Sequence, residues 1–557
     1  MASNLREFIF KKFDGGYNSY PASKSMVKDN EFPATSKTSN VLPDDNGSVT
    51  KRPGNIIWSA KLSTGHAITG MDWFSNGNVD AVIASSGSQW WNCQSGIAIP
   101  LTGKVFTPDL QNHFTQALGV LFGSNARENL CYTTDGTTIN EVTVNTNVGP
   151  WPVFFNGRIY MLSTQFPDRV YFSNTFSFTN ASPGGTNPVT GQPQGGSITS
   201  QTVIGGFDYA NMFNTNLTIN PKLNAGFMVF EPGSGIKITR LYKETNSVLY
   251  VFTERHGIWT VTPGAINTDG TVAHIVSQVV VGIGSPAGRS VVKVAQNDQY
   301  FYGADSVYSR GEVQYYASPR VTNQTGRIKH EMESLSELAK PNVAIVYFKN
   351  KVYISYQTGS SRNDTIIVQD KILNAWSPPW TGANANCFLN FHNQLLYGSS
   401  DPLNPYIYQM GVGTDDGGVP ISSSFETKST DCGHPGIVKQ IYLIEVFYGL
   451  LQGYLYYEVI ADETLIIDRG VQLTGGSVGG SSGVGSQLVG TFLVGAEFTP
   501  GATLSQTTST NGSFRIKCKG DRKFKRISVR FYNANLGDQF KVSSVICRYK
   551  LGSVYQK

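Results

Sequence analysis

The side chains able to do chemistry in this sequence are scattered, not clustered. Seven histidines, His66, His113, His256, His274, His330, His392 and His434, stand outside any ligand-spaced set. His330 and Glu333 would share one helix face beside Glu331, but no third ligand stands near them, so a solvated face is expected. Asp44-Asp45 and Asp415-Asp416 pair carboxylates as a cation site or a glycosidase would, yet both pairs sit among turn-forming residues, and turn chemistry is expected of them. Trp376 and Trp380 flank Pro378-Pro379 and could stack on a sugar ring; packing between β-units is the expected role. There is no GxSxG, HExxH or Walker loop, and the glycine turns at 282–285 and 303–305 precede no helix that would cradle a phosphate. Six cysteines lie far apart without a CxxC pair, which predicts buried free thiols. The expectation is a protein that is not an enzyme and takes no cofactor or metal.

One stretch is densely basic: Arg515, Lys517, Lys519, Arg522, Lys523, Lys525 and Arg526. On a strand the first three would share a face, with the other four at the following turn. Such charges could touch DNA phosphates or pair with acidic groups of a neighbouring subunit; both roles are open. A net charge of +5 over 557 residues is too weak for bulk attraction to nucleic acid.

The elements that must position these residues read as strands. Charged residues make up only 15% and aromatics 12%, with 59 glycines, a composition that favours an all-β chain. In 343–382, Ile345 and Tyr347 alternate before a Lys-Asn-Lys turn, and Val352, Ile354 and Tyr356 alternate after it. A third apolar run covers 366–368, and Ala375-Trp376-Ser377 begins a fourth, stopped by proline. Similar units recur at 70–85, 116–133, 152–173, 243–262, 294–310 and 388–410. Ile159, Leu249, Tyr300, Val352 and Leu395 take equivalent places, mostly spaced by roughly 40–50 residues, the length of a propeller blade. Each unit exposes an apolar face that only stacking around a ring would cover, so a β-propeller of about six blades over 61–418 is preferred to a sandwich.

Residues 176–224 interrupt the array, either as a surface excursion or as a finger lining a channel or touching a neighbour. Residues 328–338 are the best helix candidate, with Met332, Leu335 and Leu338 at helical spacing. The turn-rich 411–420 marks a boundary, and 419–557 predicts a β-sandwich. Its strand candidates include 437–449 and 453–461, with a turn at 450–452, and a flexible Gly/Ser segment at 470–512. Residues 1–60 hold many turns and prolines and predict an extended arm laid along another surface. No apolar run suits a membrane-spanning helix, and the opening MASNLREFIFKKF lacks the apolar core of a secretory leader.

Within the arm, Phe13, Gly15, Gly16 and Asn18 are followed by Asp29, Asn30, Glu31, Pro33 and Asn40, then by Gly47 and Lys51-Arg52-Pro53-Gly54. This order resembles the opening of tail hub, or nozzle, proteins of short-tailed bacteriophages. Thr427, Asp431, Gly433 and Lys439 match a further pattern of the same family. The middle of the chain is similar only in architecture. The resemblance implies a structural virion protein of the tail, made in the host cytoplasm. It implies a homo-oligomer, a hexamer by analogy, attached below the portal through a tail adaptor and meeting tail fibres or spikes. Double-stranded DNA would pass transiently during ejection, and Phe13 to Gly54 would form the attachment motif. The alternative expectation is a glycan- or receptor-binding propeller with tryptophan-lined pockets.

Overall fold

The computed structural model describes residues 5–19, 28, 30–33, 38–142, 149–173, 212–213, 225–245, 247–266, 272–295, 298–312, 319–473, 508–518 and 522–552. Internal packing divides the chain into two units. One comprises Met1–Asn18, Ala22–Arg52 and Gly418–Lys557, the other Ser19–Pro21 and Pro53–Gly417.

The larger unit is a β-propeller. Among the described residues seven sheets follow one another along the chain, the first six built as antiparallel meanders and the seventh taking in a strand from upstream. Their innermost strands are Ile68–Ser75, His113–Ala117, Val153–Phe155, Ile238–Lys243, Val292–Ala295, Ala344–Phe348 and Ala385–Phe391. The blade count is therefore seven, not about six. Ile159, Leu249, Tyr300, Val352 and Leu395 all fall in the second strand of their blades and are 0–1% exposed. They are the positions where a strand is covered on both faces by neighbouring sheets, which is why their apolar character recurs.

Interblade packing forms the core. Phe155, Tyr160 and Leu162 of the third blade meet Leu241, Val251 and Trp259 of the fourth, and Ile68 and Val82 of the first meet Cys387 and Leu396 of the seventh. The ring is closed by a strand from far upstream: Asn55–Ile57 pairs antiparallel with Ile407–Met410 as the fourth strand of the seventh blade. The 176–224 insertion leaves and re-enters between the third and fourth strands of the third blade, where Phe172 pairs with Gly226. Of it, Met212 and Phe213 are described, and both are buried against Val120, Phe122 and Met161; the rest of the segment lies outside the described residues.

The helix expected over 328–338 is a single turn, Lys329–Glu333. Met332 and Leu335 are buried, but Leu338 is 87% exposed. The chain leaves helical geometry after Ser334, and Ser336 starts a separate turn by accepting from the Ala339 N–H.

The smaller unit is a two-sheet β-structure. Lys439–Gln452 and Gln539–Leu551 are the long central strands of one sheet; Ser423–Glu426, Ile527–Asn533, Tyr454–Ala461 and Leu465–Leu473 form the other. Phe425 of the second sheet stacks on Phe540 of the first at 6.0 Å between ring centres. The first strand runs through Gln452, so the turn falls at Gly453, with φ near 75°, and not at 450–452.

Two expectations are corrected here. The first sixty residues are not a separate arm. Arg6–Phe10 pairs with Gln539–Leu551, as does Val49–Lys51, and Phe10, Phe13, Tyr17, Val41 and Val49 are buried in this unit. Of the segment assigned to 470–512 as flexible, residues 470–473 and 508–512 are strand. Strands continue through Leu473 and resume at Thr508; residues 474–507 lie outside the described residues. Glycine holds these strand ends because a tyrosine takes its space. A Cβ on Gly470 would stand 2.4 Å from the Tyr457 hydroxyl, and one on Gly512 the same distance from that of Tyr448.

Candidate functional site: the axial cavity of the propeller

The innermost strands of a propeller converge on its axis, and whatever residues they carry there must fill or line the space. In this chain they line an open cavity of about 230 Å³. Every blade contributes to its wall at or just before its first strand, including Asp72, His113, Trp151, Arg240, Arg289, Ile345 and Phe388. Asp72, Arg240 and Arg289 are half-buried residues of this wall.

Trp151 is the centre of the polar side. His113 stacks on its indole with ring centres 3.5 Å apart, and the Arg240 guanidinium lies 3.6 Å from the indole centre. Trp151 has φ near 61°, a left-handed conformation that a bulky residue rarely adopts. A Cβ on Gly288 would come within 2.5 Å of the indole, so the absence of a side chain there makes room for it.

The electrostatics follow from burial. Burial drives the Asp72 carboxyl up to about 6, against smaller opposing effects of the Trp73 N–H and Arg240. Burial brings Arg240 down to about 9. His113 is held well below its ordinary value by burial first and by Arg289 and Arg240 second, so it is neutral at pH 7. Arg289 donates to the Asn386 carbonyl at 3.0 Å, to the Asn386 side-chain oxygen at 3.1 Å and to the Thr69 carbonyl.

None of Asp72, Trp151, Arg240 or Arg289 stood out from composition or motif. A positional signal existed. Trp151, Arg240 and Arg289 precede the second-strand anchors Ile159, Leu249 and Tyr300 by eight, nine and eleven residues.

The residues expected to act lie elsewhere. Phe13 is 1% exposed and meets Phe425 edge-on. Gly15 packs so closely on Asn30 that a Cβ would stand 2.8 Å from its side chain, and Gly16 has φ near 72°. Glu31 is 3% exposed and accepts from Asn18 at 3.1 Å; Pro33 pairs with Asn18 in the same short parallel ladder. Arg52 is fully buried and donates to Asn40 at 2.9 Å. After Pro53, Gly54 lies against Asp415 in the propeller, where a Cβ would stand 2.1 Å from the backbone oxygen. Asp29 lies outside the described residues. Phe13, Gly15, Gly16, Glu31, Pro33, Arg52 and Gly54 are buried, while Asn18, Asn30 and Pro53 are half-buried.

In the basic stretch, Arg515 and Lys517 share the exposed face of a strand whose other face buries Phe514 and Ile516. Arg515 pairs with Glu445 at 2.9 Å and Arg526 with Glu463 at 3.7 Å, while Lys523 and Lys525 are exposed and Arg522 half-buried. Lys519 lies outside the described residues. Lys439 is buried and donates to three carbonyls, of His434, Ile437 and Lys525. Trp376 and Trp380 are each 2% exposed, so neither offers a face to a sugar. Trp73, by contrast, is 41% exposed, and its indole donates to Asp80 at 2.5 Å beside His392. Among the described residues no group of three or more His, Cys, Asp or Glu side chains is placed to hold a metal, all six cysteines are unpaired and buried, and no helix is long and apolar enough to cross a membrane.

Seven successive blades closed by an upstream strand define a seven-bladed β-propeller. Solved structures similar to this chain are propeller proteins. They include YCF48 from Cyanidioschyzon merolae, at 9% identity over 62% of this chain and 96% of that one, with a TM-score of 0.35. The WD40 β-propeller domain of Doa1 matches at 9% identity over 64% and 96%, with a TM-score of 0.34. The extracellular domain of a one-component system from B. thetaiotaomicron matches at 9% identity over 81% of this chain but 54% of its own length, with a TM-score of 0.39. No family model and no curated protein matches the sequence. Similarity at this level concerns the fold alone.

Proposed function

We propose that this chain is a structural subunit of a ring-shaped homo-oligomer, the tail nozzle of a short-tailed bacteriophage, and that it carries out no bond chemistry. The observation that carries the assembly reading is the outer strand of the fourth blade. Val272–Val281 is ten residues long, whereas the outer strands of the other blades have two to five. It presents Ile275, Val276 and Val281 at 56, 40 and 76% exposure. A long apolar outer strand is a natural surface for a second copy. The family part of the proposal rests on the residues of resemblance, which occupy places the fold depends on: buried Phe13, Glu31 and Arg52, and Gly54 at the ring closure.

An axial cavity of about 230 Å³ admits no duplex. In such an assembly the genome channel runs between protomers, with the adaptor above and fibres or spikes at the side. The exposed basic residues Lys517, Lys523 and Lys525 would meet either a neighbouring protomer or the passing DNA. The test is solution mass and particle imaging of the purified chain, alone and with its adaptor. Rings are expected, and Ile275→Lys with Val281→Lys shifts them toward monomer. A monomer under both conditions overturns the proposal.

A second reading, a glycan-binding propeller, is favoured by the exposed indole of Trp73 with Asp80 and His392 at its edge. It requires glycan binding by the monomer that is lost in Trp73→Ala.

A further inference from the structure

The charges in the axial cavity do not balance. Two guanidinium groups, Arg240 and Arg289, share it with one carboxylate, Asp72, and with a neutral imidazole. The three hydrogen bonds of Arg289 go to neutral oxygens, which leaves its charge without an ion pair. Arg240 lies on the face of Trp151; its Nε–H is closed off from the cavity without an acceptor among the described residues, so it is the terminal amino groups of this wall residue, which has no ion-pair partner there, that can donate to a ligand. A cation held in the protein without an ion pair is costly, and a fold normally keeps one only where something compensates it. The surrounding construction holds this arrangement in place: Trp151 sits at positive φ, and Gly288 leaves the space its indole fills. Met71, Phe114, Ile345 and Phe388 supply apolar wall on the remaining sides.

We propose that the axial cavity binds one small oxyanion, a carboxylate or an inorganic sulfate or phosphate, whose oxygens accept from Arg240. The cation–π contact holds one face of the guanidinium against Trp151, while its donors lie in the guanidinium plane and stay available to an oxyanion. The volume suits a compact molecule and excludes a polymer. This inference is independent of the proposed assembly, since the cavity lies within one propeller.

The experiment titrates sulfate, and separately butyrate, into the full chain, using chloride at equal ionic strength as the reference. Calorimetry and thermal melting are the readouts. The wild type is expected to bind saturably at one site per chain, with Tm rising by about 1–3 °C near saturation. Preference for sulfate identifies an inorganic anion; preference for butyrate shows that the apolar wall takes a hydrocarbon body. Arg240→Gln is expected to lose at least about tenfold in affinity, and in chloride it melts no lower than wild type, because it removes an uncompensated cation. Should Arg240→Gln fail to fold, Arg240→Lys serves instead, with weakened but measurable binding expected. Absence of a saturable response to both anions, or binding undiminished by either substitution, overturns the proposal.

Discussion

Asp72 shows how one residue at the axis contributes to the response of the fold to pH. Its carboxyl is raised from 3.8 to about 6, with burial as the principal cause. A carboxyl raised on folding contributes stability that is fully present below its unfolded value and lost as pH rises through the folded value. Wild type therefore loses about 2 kcal/mol of relative stability between pH 4 and pH 7 at this one position. Asp72→Asn removes the titration. The urea midpoint of the variant should gain on that of wild type across this window and run parallel above about pH 7. Arg240, Arg289 and His113 share the cavity, are present in both proteins and cancel to first order in the difference. His113 acts oppositely in each, since its lowered value costs stability as pH falls below its usual range. A difference independent of pH would show that Asp72 is solvated through the cavity.

At the scale of elements, the strand ends at Gly470 and Gly512 reveal a compensation between neighbours. Gly470 stands directly opposite Tyr457, whose ring occupies the place of the missing side chain. Gly470→Thr alone should destabilise by about 1–3 kcal/mol through collision with that ring. In a Tyr457→Ala background the same change should be neutral or stabilising, because threonine then restores strand propensity to an open site. A double-mutant cycle on chemical unfolding reads this reversal as a coupling of about 0.5–3 kcal/mol, and additivity would remove the explanation. The same pair shows why 470–512 read as flexible throughout: glycine and serine carry no apolar face of their own, and the side chains that complete these strands lie in Tyr448 and Tyr457. The second strands of the blades were legible because burial on both faces demands apolar residues such as Ile159 and Val352 whatever the partner. The N-terminal strands were not. Val49 pairs with Val542 and Thr50 with Lys541, and nothing local in three-residue strands announces a partner nearly 500 residues away. The axial residues were equally hidden, since Arg240 and Trp151 look like isolated polar and aromatic residues until the blades are laid in register.

For the molecule as a whole, the propeller depends on one closure between residues about 350 positions apart. Each blade buries its faces only if both neighbours are present, so an unclosed ring leaves the first and seventh blades each exposing a face. Asn55–Ile57 closes it by pairing with Ile407–Met410, and the Asn55 side chain donates to Asp416 at 2.6 Å. Gly54 makes the approach possible. Its N–H donates to the Gly413 carbonyl, its own carbonyl accepts from Gly411 and Val412, and an added Cβ would stand 2.1 Å from the Asp415 oxygen. Because the obstructing atoms are backbone, no rotamer change relieves the overlap. Gly54→Ala should therefore cost about 1–3 kcal/mol, whereas Gly326→Ala, with open space around the added carbon, should stay within about 0.5 kcal/mol of wild type. The pattern matters more than the amount. Closure is shared by the whole ring, so amide hydrogen exchange in Gly54→Ala should quicken in the second strands of all seven blades, from Asp80–Ser86 to Gln394–Ser399. A quickening confined to the seventh blade would mean that the blades hold their places without the closing strand and that the ring is a stack of locally stable sheets.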